Sequence, residues 1–166
     1  MGESKTKQLK REGIDKFHTP EMIDYMFNSA ELVPPYARGL LSNSLVLLPE
    51  EIIDFIVENY VFISRDEEEC GSQWTFNSVH FKDKKGFILL ATKIWKKKSI
   101  EIAFIIAHEV AHAFKKHKTG VIALKQGTKQ EKEANRLAVK WLSKHYKKKS
   151  LMKLCKPVNK ILKRAE

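Results

Sequence analysis

The stretch Ile100–Phe114, Ile-Glu-Ile-Ala-Phe-Ile-Ile-Ala-His-Glu-Val-Ala-His-Ala-Phe, constrains this chain more than any other. Apart from Glu101, its only polar residues are His108, Glu109 and His112. A helix that is apolar nearly all round is a buried one. Polar groups set into a buried helix need partners, because leaving them unpaired there is costly. The spacing names a partner. Residues four apart share a helix face, so His108 and His112 can turn a ring nitrogen toward one metal ion. Glu109, next to the first histidine, is placed to act as general base on a metal-bound water, so that His108–His112 is an H-E-x-x-H match. The competing reading is a fortuitous match whose histidines hydrogen-bond within the core.

With 166 residues the chain is long enough for one domain with a real core. We expect a loose polar tail over 1–12 and a single domain over 13–166, its catalytic core at about 60–146 and a basic helical segment at 150–166. No apolar run reaches the length of a membrane span, and the first residues carry no signal-peptide core, so a cytoplasmic location is expected. Cys70 and Cys155 are too isolated for a disulfide framework. Either could hold a metal centre latent as a thiolate, but nothing in the sequence brings a sulfur near the motif.

The net charge is +11, and Lys140–Arg164 holds ten Lys or Arg without one Asp or Glu. Such a run attracts nucleic acid or another acidic surface, or forms a solvated lysine face. The scarcity of arginines and aromatics favours the solvated face.

Along the chain, Thr19-Pro20-Glu21 has the form of a helix start and Val33-Pro34-Pro35 of its end. Residues 36–47 are ambiguous between a short helix and a loop. Leu48-Pro49-Glu50-Glu51 opens a helix with Ile52, Ile53, Phe55, Ile56 and Val57 on its apolar side. Tyr60–Ser64 is β-branched and aromatic, as a strand should be. Trp74–Phe81 and Phe87–Thr92 flank the turn Asp83-Lys84-Lys85-Gly86, which predicts an antiparallel hairpin. Ser99 is the expected N-cap of the motif helix, with its end at Lys115–Gly120. Thr128-Lys129-Gln130-Glu131 has capping-box form and predicts the start of another helix. Leu151, Leu154, Val158, Ile161 and Leu162 recur at helical spacing in the last segment, which Pro157 breaks or kinks.

A catalytic zinc needs a third protein ligand. A histidine six residues past His112 would serve, but that position is Lys118. His117 is five residues on and, on a continued helix, points away from the shared face. Glu131 and Glu133 remain. At about 100° per residue, Glu131 falls within roughly 50° of the apolar face formed by Ala134, Leu137, Ala138, Trp141 and Leu142, whereas Glu133 lies more than about 100° away. Glu131 is thus either the third ligand or only a cap on the Thr128 amide. Asn135 is placed to hydrogen-bond a ligand. His145 is an alternative ligand. His80, His145 and Tyr146 are candidates for stabilising an oxyanion.

His108-Glu-Val-Ala-His112, followed 19 residues later by Glu131-Lys-Glu-Ala-Asn135, resembles the gluzincin pattern H-E-x-x-H…E-x-x-A-[N/D]. It is most similar to the small ImmA/IrrE-like peptidases and the minigluzincins. The resemblance covers 74–146, under half of the chain. It implies a zincin-like fold; with the hairpin and the N-terminal helix signals read above, the expectation is an α+β chain with a small antiparallel sheet packed on the two motif helices and extra helices N-terminal to it. It also implies Zn2+ held by His108, His112 and Glu131, Glu109 as general base, and a peptide or protein substrate pairing beside residues 87–92. The alternative is a regulatory zinc protein whose basic C-terminal segment binds nucleic acid.

Overall fold

The computed structural model describes residues 33–65, 86–117 and 123–155. The expected tail, the helix at Thr19, the strand Trp74–Phe81, His80, Cys70 and the segment after Pro157 lie outside them. Over the described residues the chain is α+β and mostly helical.

Pro34 and Pro35 begin a helix. Pro35 is the first residue of α1 (Pro35–Leu45), where its fixed φ suits the helix and its missing N–H costs nothing. The ambiguous stretch is thus helical, with Ala37, Leu41 and Leu45 buried. Ser44 is buried with them, its hydroxyl donating to the Leu40 carbonyl at 2.7 Å. Pro49 caps α2 (Glu50–Asn59), and Glu50 and Glu51 sit in its first turn, where the helix dipole favours negative charge. Tyr60 turns extended at the end of α2, and the chain passes directly into β1 (Tyr60–Arg65).

β1 pairs with β2 (Gly86–Ala91) in parallel, in register from Tyr60↔Gly86 to Arg65↔Ala91. This corrects the expected antiparallel sheet. Trp74–Phe81, the expected hairpin partner of β2, lies outside the described residues, and the strand that β2 joins lies some 26 residues upstream, beyond the reach of turn chemistry. Gly86 leaves room at its register position: a Cβ there would lie 3.0 Å from the Tyr60 ring, which would have to give by a few tenths of an ångström. That ring is fixed in turn by its hydroxyl, which donates to the Ala113 carbonyl at 3.3 Å. On β2, Ile88 and Leu90 face the core while Phe87 and Leu89 are exposed.

A 3-10 turn, Thr92–Lys96, leads from β2 to α3 (Ser99–Phe114). Trp95 is buried in it, its indole N–H donating to Ser64 Oγ at 2.8 Å. The N-cap of α3 is Lys98, one residue before the expected Ser99, because the Glu101 carboxylate accepts the Lys98 amide at 3.2 Å. α3 runs through the middle of the fold, against α1, α2, β2 and α4 (Ala123–Leu142). Ala107 and Ala111 of α3 and Ala134 and Ala138 of α4 are fully buried, so small side chains let the two helix backbones approach closely. The chain closes with α5 (Lys148–Leu154), anchored by the fully buried Leu151.

The end of α3 departs from expectation. The helix stops at Phe114 and Lys116 takes the left-handed conformation, at φ 53°; Gly120, the expected stop, lies outside the described residues. The Lys116 amide donates to the Ala113 carbonyl at 3.1 Å and the His117 amide to the His112 carbonyl at 3.0 Å, the paired bonds of a Schellman stop. A left-handed lysine costs about 1–2 kcal/mol relative to its helical form, and glycine's larger chain entropy takes back part of that. Lys116→Gly should therefore raise stability by about 0.5–1 kcal/mol and Lys116→Val lower it by about 1 kcal/mol, read as shifts in urea midpoint at unchanged slope.

Candidate metal centre

His108, Glu109 and His112 lie on α3 and Glu131 and Asn135 on α4, across the alanine-lined helix contact. Glu131 is well inside α4, whose helix begins at Ala123 and passes through Gly127 and Thr128. The reading of Glu131 as a capping residue is thereby removed, since no free helix-terminal amide lies within its reach.

The structure brings the three side chains together. Glu131 Oε2 lies 3.1 Å from His108 Nε2, Glu131 Oε1 lies 3.2 Å from His112 Nε2, and the two Nε2 atoms are 3.0 Å apart. Zinc ligands at about 2.0–2.1 Å in tetrahedral array stand on the order of 3.3 Å from one another, so the triangle is of metal-binding size. The three form the one such group among the described residues.

The hydrogen bonds behind the triangle fix which atoms face it. His108 Nδ1 is 3.1 Å from Asn135 Oδ1, an acceptor, so Nδ1 carries the proton and the neutral ring turns an Nε2 lone pair inward. On the other ligand, His117 Nε2 is 3.3 Å from Glu133 Oε2, again an acceptor, so His117 donates from Nε2 and accepts at Nδ1. The His112 Nδ1, 3.0 Å from His117 Nδ1, must then be the donor, and His112 also turns an Nε2 lone pair inward. Two lone pairs and a carboxylate thus meet with no donor between them. A cation satisfies that arrangement; without one, a proton must take its place.

The protonation energetics agree. Burial works against a charged His108, but the hydrogen bond to Glu131, the charges of Glu109 and Glu131 and the bond to Asn135 outweigh it and raise the pKa above 6.5. When a ring takes up that proton, its Nε2–H donates to Glu131, and these bonds from His108 and His112 hold the Glu131 carboxyl down to about 2 despite its partial burial. Burial raises Glu109 above the usual carboxylate range, against the pull of His108 and His112 and with the Glu131 charge adding to the rise. Glu133 is lowered by its bond to His117, with Lys115 at 3.4 Å contributing further.

Glu109 borders a cleft of about 430 Å³ that opens beside His108 and Glu131. Phe104, Ile105 and Leu154 form its apolar wall, and Lys97 and Glu101 also line it.

His117 is where the sequence misled. Continued as a helix, it would turn away from His112; the left-handed Lys116 swings it back, and its ring packs edge-on against His112 with centroids 4.9 Å apart. No glycine announced that turn, so the signal was hidden. His145 is exposed in the turn after α4 and does not join the group, and Tyr146 is half-buried against the core. Cys155 is buried at the end of α5, its thiol donating to the Leu151 carbonyl at 3.6 Å, and does not join the group either.

Comparison of the chain with protein-family models, with curated proteins and with solved structures gives no match in any of the three.

Two outcomes follow for metal binding. His117→Ala removes the acceptor that fixes His112, and loss of such support weakens metal affinity by about 10–100-fold, measurable by chelator competition with the helical spectrum unchanged. The proton held by His108 must leave when a metal enters. Because that pKa lies above 6.5, apparent affinity should climb by up to about tenfold per pH unit from about pH 6, then level off above the raised value. A flat profile across this range would contradict the assignment.

Proposed function

We propose that this chain is a zinc-dependent peptidase in which His108, His112 and Glu131 hold the metal and Glu109 is the general base. The observation that carries the reading is the convergence of two imidazole lone pairs and one carboxylate beside a cleft bordered by a further carboxylate. A donor set of two nitrogens and one oxygen, short of the four protein ligands of a structural site, suits a catalytic zinc. The motif's resemblance to the gluzincins supports the same assignment.

When bound, zinc supplies Lewis acidity that polarises a carbonyl and acidifies water. Glu109 takes the proton of the attacking water and then delivers it to the departing amine. Its raised affinity for a proton in this partly buried position suits the exchange. Asn135 and His117 keep the two histidines in the tautomer that leaves each Nε2 free. Phe104, Ile105 and Leu154 limit water around the reacting bond. An extended peptide would lie beside β2, near the exposed Leu89.

No helix among the described residues is long and apolar enough to cross a membrane. Glu109→Gln keeps the size and polarity of the side chain but cannot take a proton. It should retain the metal at full stoichiometry and lose hydrolysis of an unstructured protein such as casein by about 10²–10⁴-fold. Retained hydrolysis at full metal content would remove Glu109 from its role.

A further inference from the structure

On the far side of Asn135 from His108, α4 and α5 enclose a second groove of about 610 Å³. Lys132, Arg136 and Lys140 line it from α4 and Lys148 from α5, with Ser143 and Met152 between them. No acidic residue among the described residues lines it. Residues 129–155 contain two carboxylates, Glu131 and Glu133, and both are engaged elsewhere: Glu131 with the histidine pair, Glu133 with Lys115 and His117. The groove's cations therefore have no carboxylate partner among the described residues.

The spacing is specific. Lys132, Arg136 and Lys140 stand four residues apart, so each lies about one turn, about 6 Å, beyond the last along a single face. Like charges at this interval destabilise a helix by about 0.2–0.5 kcal/mol per pair. A merely solvated face would relieve that repulsion by interspersing glutamates, as surface helices commonly do. Here the row is uninterrupted, it runs along a concavity, and Lys148 closes the opposite wall. Successive charges of one sign along an open groove match a chain of regularly spaced negative charges, and the half-exposed Met152 gives a sugar or base an apolar surface to rest on.

We propose that the groove between α4 and α5 binds the phosphodiester backbone of a single nucleic-acid strand, with Lys132, Arg136, Lys140 and Lys148 contacting successive phosphates. The groove shares no lining residue with the cleft beside Glu109, but Asn135 links it to the metal centre: it lines the groove and accepts the His108 Nδ1 proton at 3.1 Å. The proposal does not depend on the peptidase reading, because charge and shape alone carry it.

The test is fluorescence anisotropy of a labelled oligothymidylate with the full-length chain over a range of salt. The wild type should bind, with log affinity falling linearly in log salt. The variant K132Q/R136Q/K140Q should bind at least about tenfold more weakly, and its salt slope should shrink by about 2, the loss of three contacts at about 0.7 each. The charge-matched variant K147Q/K149Q/K153Q alters lysines that do not line the groove and should change affinity by less than about threefold. Unchanged metal content and circular dichroism establish that the variants are folded. Should the triple variant unfold, Lys140→Gln alone should shrink the slope by about 0.7. Absence of binding by the wild type, equal weakening by the two triple variants, or an unchanged slope in the groove variant would each overturn the proposal.

Discussion

Two imidazole lone pairs and a carboxylate point at one another across the contact between α3 and α4, their donor atoms 3.0 to 3.2 Å apart. All three are acceptors once the bonds to Asn135 and His117 are satisfied, and acceptors crowded at that distance repel. The metal-free chain can relieve this by protonating a histidine, and the carboxylates of Glu131 and Glu109 raise the His108 pKa. A divalent cation relieves it more completely. On the proposed reading the rest of the structure maintains this otherwise unfavourable convergence.

Two devices hold it in place. Alanines at 107, 111, 134 and 138 bring the helices close enough for the short reach of Glu131 to meet both rings. The Schellman stop at Lys115–His117 then folds the chain back, so that His117 and Glu133 brace His112 from outside. The aromatic contacts of Phe114 with Phe55 and Trp141, at centroid separations of 5.4 and 6.1 Å, tie the end of α3 to α2 and α4 at the same level. The binding triangle and its support are thus set by backbone geometry, with little left to free rotation of side chains.

How much of this was legible in the sequence depended on distance along the chain. The buried character of Ile100–Phe114, the helix after Pro49 and the choice of Glu131 over Glu133 all rest on a periodicity of a few residues, and helical angles extrapolate well over that range. Asn135 was found beside His108 for the same reason. The β1–β2 pairing was not readable, because a parallel pair is a nonlocal match and the nearby turn signal at Asp83–Gly86 suggested a hairpin. His117 was misplaced because its position depends on one left-handed lysine that sequence preference disfavours. The capping-box reading of Thr128–Glu131 failed because the helix starts earlier and absorbs Gly127, a residue whose cost of about 1 kcal/mol tertiary packing can override. The basic groove was visible only as a charge run; the folded chain separates its lysines into a lined channel and an outer face.

X-ray absorption at the zinc edge of the metal-loaded chain tests the central claim most directly. The account predicts two imidazole nitrogens at about 2.0–2.1 Å with the remaining positions filled by oxygen, and loss of the bound metal or of one oxygen neighbour in Glu131→Ala. Sulfur scattering at about 2.3 Å, or a spectrum indifferent to Glu131→Ala, would contradict it.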